Sequence, residues 1–407
     1  MTRTLRHRLL FASLYFSEGA PIGFLWWALP TRLRAAGVDV GAITALLGAL
    51  VLPWALKFLG APFIDILRTP RWGLRSWIAA CQILMGLFLL ATVWLDWRTE
   101  YVAVAALLLL HAISAATQDV AVDAYALSIV SPEERGSING WMQAGMLAGR
   151  AIFGGGALLL DVRVGPRTTL LLLVGAIWVS LAVLALLGEE APLRRAGETL
   201  ADRRRDFQSA LREVLTRRST WLLLGFAAVG GAGFEAVGLL VGPYLLDRGF
   251  SQGRIGGFLF LPTVLAMMAG AAIAGLLADR VERRRVAGLA LLLLAATIVT
   301  LGTLATPAAW ITLGLLVVFY VLIGAFTTAS YALFMDMTDP RLGATQLSAA
   351  MSATNLCESW SAFAVGRLTG TLGYGAAFSW MAAASLLGLP FLWWLPRPAT
   401  QAAASRT

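Results

Sequence analysis

The sequence predicts an all-α membrane protein with twelve transmembrane helices in two pseudo-symmetric six-helix bundles. Three observations predict it. Apolar runs recur at the roughly 20-residue length that crosses a bilayer as helix. The chain is 58% hydrophobic and only 14% charged, with mean hydropathy +0.75, whereas a soluble domain carries about 25% charged residues. One arginine-rich loop, 189–219, splits the runs into two sets of six that repeat each other's residues. The runs are apolar all round instead of alternating, so they are helices and not barrel strands.

In chain order the spans fall at roughly 9–29, 41–64, 76–95, 101–130, 138–160 and 168–188, with helix ends read from polar and turn residues. The second set falls at roughly 220–246, 255–278, 286–306, 309–335, 344–369 and 375–395, read in the same way. The organisation is therefore an N-terminal six-helix bundle at 1–188, a basic cytoplasmic linker at 189–219, and a C-terminal six-helix bundle with a short cytoplasmic tail at 220–407. The N-terminus runs from Met-Thr-Arg-Thr-Leu-Arg-His-Arg straight into a span. Ser17-Glu18-Gly19-Ala20 lies too deep in that run for a signal-peptide cleavage site, so the first helix is read as retained.

The net charge of +9 does not indicate nucleic acid. The arginines cluster at segment ends on alternate loops, which is the orientation signal of a membrane protein. Arg194, Arg195, Arg203, Arg204, Arg205, Arg212, Arg217 and Arg218 mark the linker as cytoplasmic. Arg68, Arg71 and Arg75, and Arg280, Arg283, Arg284 and Arg285, share that side. An even number of spans places both termini in the cytoplasm of a cell whose inner membrane holds the chain. Part of the linker is suited to lie along the membrane surface as an amphipathic helix.

Several chemistries find no support. Cys81 and Cys357 lie in different spans and match no metal or redox spacing. His7 and His111 are far apart and supply no nucleophile–base or metal constellation, so no enzyme, metal or cofactor is expected. The glycines from Gly140 to Gly149 and the run Gly154-Gly155-Gly156 follow no strand, so they are packing or hinge sites and not phosphate loops. Without a nucleotide site, transport would be driven by a gradient.

The two halves repeat. Tyr125-Ala126-Leu127 recurs as Tyr331-Ala332-Leu333, and Arg135 recurs as Arg341 at the same offset. Gly60-Ala61-Pro62-Phe63-Ile64-Asp65 corresponds to Gly275-Leu276-Leu277-Ala278-Asp279-Arg280. Parallel six-helix repeats joined by a basic loop are the plan of transporters whose substrate site lies near mid-membrane.

Charged side chains at membrane depth cost from roughly 2.5 kcal/mol each unless paired or wet, so they are functional candidates by default. Gln118, Asp119 and Asp123 end the fourth helix, and the two aspartates share one face. Asp119 is expected to couple protons or bind solute. Asp123 is either a second proton site or a gate tied to Arg135 or Arg75. Arg150, midway along the fifth helix, is expected to pair with Glu18 or Asp119, permanently or until an anionic solute competes. Lys57, the only lysine, either snorkels to the interface or pairs with Asp119 or Asp123. Glu235 and Glu358 lie mid-span in the second half, as proton sites or as residues bonded to nearby backbone. Trp26, Trp27 and Trp360, with Tyr125 and Tyr331, suit either stacking on a ligand or an interface belt. Asn139, Gln143, Gln346 and Asn355 are polar contacts or helix–helix hydrogen bonds. His111 is expected to be packed.

The sequence resembles the major facilitator superfamily. Its signature G-x-x-x-D-R-x-G-R-R is nearly reproduced at 275–284, with Glu282 in place of the second glycine. The N-terminal copy departs from it, with Ile66 after Asp65. That departure resembles one branch, the AmpG-like muropeptide permeases and acetyl-CoA transporters. Ser17-Glu18-Gly19-Ala20-Pro21-Ile22-Gly23-Phe24 is similar to that branch, as are Leu56-Lys57-Phe58 with Pro62 and Asp65. So are Ala116-Thr117-Gln118-Asp119 with Asp123, and Pro132-Glu133-Glu134-Arg135-Gly136. Siderophore importers of the RhtX/FptX type share the branch, and Leu33-Arg34-Ala35-Ala36-Gly37-Val38 resembles them equally.

The resemblance implies a proton-coupled importer of an organic, anionic, muropeptide-like solute, working by alternating access as a monomer in the lipid bilayer. A siderophore is the alternative solute, and a non-transporting membrane sensor or scaffold the alternative class. It implies solute contacts from Glu18, Trp26, Gln118, Tyr125, Asn139, Gln143, Arg150, Asn355 and Trp360. Coupling would fall to Asp119, Asp123, Glu235 and Glu358. Gating would fall to Lys57, Asp65, Arg75, Arg135, Asp279, Arg280 and Arg341.

Overall fold

A computed structural model describes residues 2–57, 69, 72–131, 134–191, 205, 208–209, 212, 215–278, 281–304, 308–337 and 343–396. The described residues are almost entirely helical, with one isolated bridge between Thr69 and Trp72. The helices are α1 Arg3–Ala35, α2 Val40–Ala55, α3 Leu74–Thr92, α4 Tyr101–Ile129, α5 Ser137–Val164 and α6 Pro166–Leu187. They continue with α7 Arg218–Asp247, α8 Gln252–Leu277, α9 Arg283–Thr303 and α10 Ala309–Met337. The stretch Gln346–Trp394 divides at Gly373, whose φ of +76° breaks the helix, into α11 before it and α12 after it. The twelve expected helices are therefore present.

The internal repeat is visible in the backbone. Gly37 ends α1 and Gly249 ends α7, both at positive φ. Gly165 separates α5 from α6 as Gly373 separates α11 from α12. A side chain at such a φ is strained, so glycine marks the same two joints in each half. The helix after each first joint is capped: Asp39 accepts from the N–H of Gly41 at 2.7 Å, and Ser251 from that of Arg254 at 3.4 Å. In α1, Pro21 lacks the N–H that a regular turn needs, and a π-helical turn follows at Phe24–Ala28.

Packing divides the chain into two compact units. The first comprises 1–195 with 239–261, and the second 196–238 with 262–407. In the first unit α1 and α5 touch backbone to backbone. Gly19 and Gly23 lie on the main chain of Met146 and Arg150, while Gly145 and Gly149 lie on that of Ala12 and Ala20. Two glycines four apart on each helix form the small-residue seam typical of membrane helix pairs. Leu10, Phe11, Leu14, Ile78, Val122, Tyr125 and Leu184 build a core between α1, α3, α4 and α6. Arg32 forks onto Asp161 and lies 4.8 Å from the Phe24 ring, joining the ends of α1 and α5. In the second unit α8 and α10 meet through Gly270 and Gly324, each against the other helix's main chain.

Candidate functional site

The charged residues of the first unit gather between α1, α2 and α4. Asp119 and Asp123 are one turn apart on α4, and Tyr15 and Glu18 are nearly one turn apart on α1. Lys57, just beyond α2, donates from Nζ to Asp119 Oδ2 at 2.8 Å. Asp119 is 6% exposed and Glu18 4% exposed, so this ion pair and its neighbour are both withdrawn from solvent. The Tyr15 hydroxyl donates to Asp123 Oδ1 at 2.6 Å. Glu18 lies in the fields of Asp119, Asp123, Lys57 and Arg150, yet its Oε2 is buried without a hydrogen-bond partner. A recess of about 150 Å³ opens beside the pair, lined by Pro53, Leu56 and Lys57 of the α2 end and Ile113, Ala116, Thr117 and Val120 of α4.

Behind the carboxylates lies a neutral polar core. Gln82 donates from Nε2 to Ser17 Oγ at 3.0 Å and to Ser180 Oγ at 3.2 Å. Gln118 donates to the same Ser17 Oγ at 3.3 Å. Membrane helices use such contacts as glue, since lipid supplies no competing water.

Several expectations are met and others corrected. The Lys57–Asp119 pairing is the alternative the structure takes over snorkelling. Arg150 forms no ion pair with Glu18 or Asp119 among the described residues, and its Nε is buried without a partner. Asp123 receives Tyr15, and Arg75 instead bonds Ala185 O at 2.6 Å and faces Glu190 at 3.5 Å. Tyr125 departs from a ligand-stacking role. It is fully buried, and its hydroxyl is spent on the main chain of Glu189, donating to O at 2.6 Å and accepting from N at 2.8 Å.

Trp26 sets its ring edge-to-face on Trp54, 5.8 Å between centroids. Trp360 donates to Ala228 O at 2.8 Å with its ring half-buried. Asn139 and Gln143 are exposed along the first half of α5, and Asn355 is half-buried. In the second unit the half-buried Glu235 and Glu358 both act electrostatically on the buried Cys357. His111 is packed, with Nδ1 donating to Met85 O at 3.0 Å. Asp65, Asp279, Arg280 and Arg341 lie outside the described residues, as does the side chain of Arg135.

The sequence reading missed Tyr15, Ser17, Gln82 and Ser180. Tyr15 was detectable, being three residues before Glu18 on one helix face. Gln82 sits in an otherwise apolar run and carried no signal beyond its own polarity. Also missed was a polar clasp on 187–190. Arg6 donates to Leu187 O at 2.7 Å, His7 meets Glu189 at 2.6 Å, and Arg3 meets it at 3.4 Å. Burial pushes the Glu189 carboxyl up, but the hydrogen bond and field of His7, with Arg3, outweigh it and hold it below the usual range. Nearby, a hydrogen bond from Thr4 holds Glu134 low.

The model of the Major Facilitator Superfamily matches residues 9–364. A Rickettsia conorii protein bearing the transporter name AmpG 4 is 24% identical over 89% of each chain. The Anhydromuropeptide permease of Escherichia coli is 26% identical over 66% of this chain and 55% of its own. Among solved structures, a D-xylose-proton symporter superposes with a TM-score of 0.79 at 12% identity, covering 98% of this chain and 99% of that one. A bacterial homologue of the human lysosomal transporter Spinster superposes with a TM-score of 0.69 at 15% identity, over 99% and 96%. At such identities these two likenesses concern the fold alone.

Proposed function

This chain belongs to the major facilitator superfamily, and from that premise we propose that it is a proton-coupled secondary transporter importing an organic, anionic, muropeptide-like solute by alternating access. One observation carries the reading. The first unit buries a Lys57–Asp119 pair beside a carboxylate and a guanidinium, Glu18 and Arg150, that lack ion pairs among the described residues. A sensor or scaffold would be expected to pair its buried charges permanently, because an uncompensated charge in the membrane is costly. A carrier needs charges that exchange partners.

In this reading Arg150 receives the solute's carboxylate or phosphate, with bidentate geometry available to its guanidinium. Asp119 exchanges a proton against Lys57, and Asp123, steadied by Tyr15, relays it. Gln118, Trp26, Asn139, Gln143, Asn355 and Trp360 are candidate contacts to the neutral part of the solute. Glu235 and Glu358 are the candidate coupling sites of the second unit. Lys57 and Arg75, with Asp65, Arg135, Asp279, Arg280 and Arg341, are assigned to gating on the cytoplasmic side. The name of the E. coli relative supports an anhydromuropeptide as solute.

The test is uptake into proteoliposomes under an imposed proton gradient, with radiolabelled anhydromuropeptides and ferric siderophores as separate arms. Gradient-dependent muropeptide uptake is expected, and Asp119→Asn should remove its dependence on the gradient. Siderophore uptake alone would change the solute. No uptake of either would sink the reading, and an unchanged gradient dependence in Asp119→Asn would move coupling to Glu235 or Glu358.

A further inference from the structure

The second repeat lends part of itself to the first unit. Residues 239–261 hold the end of α7, the turn at Gly249 and the start of α8. They pack with 1–195, while the rest of both helices belongs to the second unit. Proline weakens each helix where it passes from one unit to the other. At the first crossing Pro243 has no N–H to give to the Leu239 carbonyl, four residues back. At the second, α8 is interrupted at Leu261, with φ −116°, and Pro262 follows. The hairpin 239–261 is thus joined to the second unit by two helices that each lack a ladder bond near the joint.

The hairpin rests on α1 and α5. Gly242 lies on the Thr31 side chain of α1. Gly256 lies on the main chain of Gly155 and Leu159 in α5, and Gly155 on that of Leu259 and Phe260. Glycine faces bring backbones together without interlocking side chains, so parting them requires no change of rotamer. Two arginines at the end of α1 separate a fixed tie from a releasable one. Arg32 forks onto Asp161 of α5, with side chains 9% and 6% exposed. Arg34 Nε meets both oxygens of Asp247 on the hairpin at 2.8 and 3.0 Å, with side chains 29% and 28% exposed. Breaking a buried pair is costly, whereas a pair so open to water shifts a population by a factor of only about two to five.

We propose that 239–261 is a lid over the end of the first unit where α1 finishes at Ala35 and α5 at Val164, latched by Arg34 and Asp247 and opened by bending at the two proline joints. The use of this lid as a gate for solute rests on the transport reading. The bending does not, because it is measurable without any solute. It also differs from a swing of the second unit as one rigid body. A rigid swing carries 239–261 along with the second unit and keeps the distance between them. A bending lid changes that distance and leaves the two units as they were.

The experiment is double electron–electron resonance between spin labels on the full-length protein in nanodiscs, with Cys81→Ser and Cys357→Ser as background. Thr168 and Ala309 are exposed and Gln252 is half-buried, so cysteines at these positions take the labels. Thr168→Cys with Gln252→Cys spans the latch, Gln252→Cys with Ala309→Cys runs from the lid to the second unit, and Thr168→Cys with Ala309→Cys joins the two units. Asp247→Asn should raise the long-distance fraction of the first pair about two- to fivefold and shift the second pair, leaving the third unchanged. Reversing the charges, Arg34→Asp with Asp247→Arg, should restore the wild-type distribution. Pro262→Ala, which returns an N–H to α8, should lower the long fraction of the Asp247→Asn protein. Thermal unfolding checks that each variant is folded. A first pair unmoved by Asp247→Asn, or not restored by the reversal, would overturn the latch. A first and third pair that lengthen together while the second stays fixed would overturn the lid in favour of a rigid swing, and an undiminished fraction in Pro262→Ala would overturn the joint. Each of these results leaves the uptake experiment, and the reading it tests, standing.

Discussion

The seam between α2 and α4 and the seam between α8 and α10 occupy equivalent places in the two repeats, and they are built in opposite ways. The first is polar and open, with Lys57 on Asp119 and a recess beside them. The second is closed by Gly270 and Gly324, each pressed against the other helix's main chain. When Tyr125 is set on Tyr331, Gln118 falls on Gly324, Asp119 on Ala325 and Asp123 on Ala329. The duplicated scaffold has kept its joints at Gly37 and Gly249 and at Gly165 and Gly373. At these aligned positions the first half carries polar side chains and the second carries glycine and alanine. A repeat therefore conserves backbone geometry more readily than chemistry, because a joint needs one φ angle whereas a buried charge needs a whole environment.

The largest expected effect tests whether the open seam depends on its ion pair. Lys57→Ala should cost about 3–5 kcal/mol, the range for leaving a buried charge unpaired. Adding Asp119→Ala should recover most of that cost, as read by unfolding in detergent. Strictly additive losses would mean that the pair contributes nothing as a pair. Next, Arg150→Ala should lower uptake by at least about 100-fold, roughly 2.7 kcal/mol, with the protein still folded in the membrane. Wild-type uptake would take solute recognition out of the first unit. The closed seam should be the less forgiving of added bulk. Gly324→Leu should destabilise by about 1–3 kcal/mol or more, and Thr117→Leu at the recess by less than about 1.5 kcal/mol. Equal costs would erase the contrast.

The smallest effect lies at the clasp on 187–190. The folded state holds the Glu189 carboxyl below its unfolded value. Its contribution is therefore present above about pH 4.3, the ordinary glutamate value, and is lost as pH falls through the lower folded value. Glu189→Gln should cost under about 1 kcal/mol at neutral pH, and the difference from wild type should close in acid. A gap that stays constant down to pH 3 would remove the ionic part of the clasp.

Much of this was legible in the residues. Span number and repeat followed from apolar length and from Tyr125 and Tyr331. Glu18, Asp119, Asp123, Lys57 and Arg150 stood out because charge in lipid needs a reason. Their partners were harder to read. Whether Asp119 takes Lys57 or Arg150 depends on how α2 and α5 are placed around α4, which no local pattern encodes. Tyr125 misled because its place in a repeated motif suggested chemistry, whereas it ties α4 to the main chain after α6. Gln82 and Ser180 were invisible for a related reason: a lone polar residue in an apolar run shows its importance only once a neighbour's hydrogen is accounted for.

The solitary lysine has a practical consequence. Amine-selective reagents have only Lys57 and the chain's α-amino group to find, and Asp119 shields the former. The rate at which Lys57 becomes labelled would therefore clock the opening of that contact directly, in native membranes and without engineered tags.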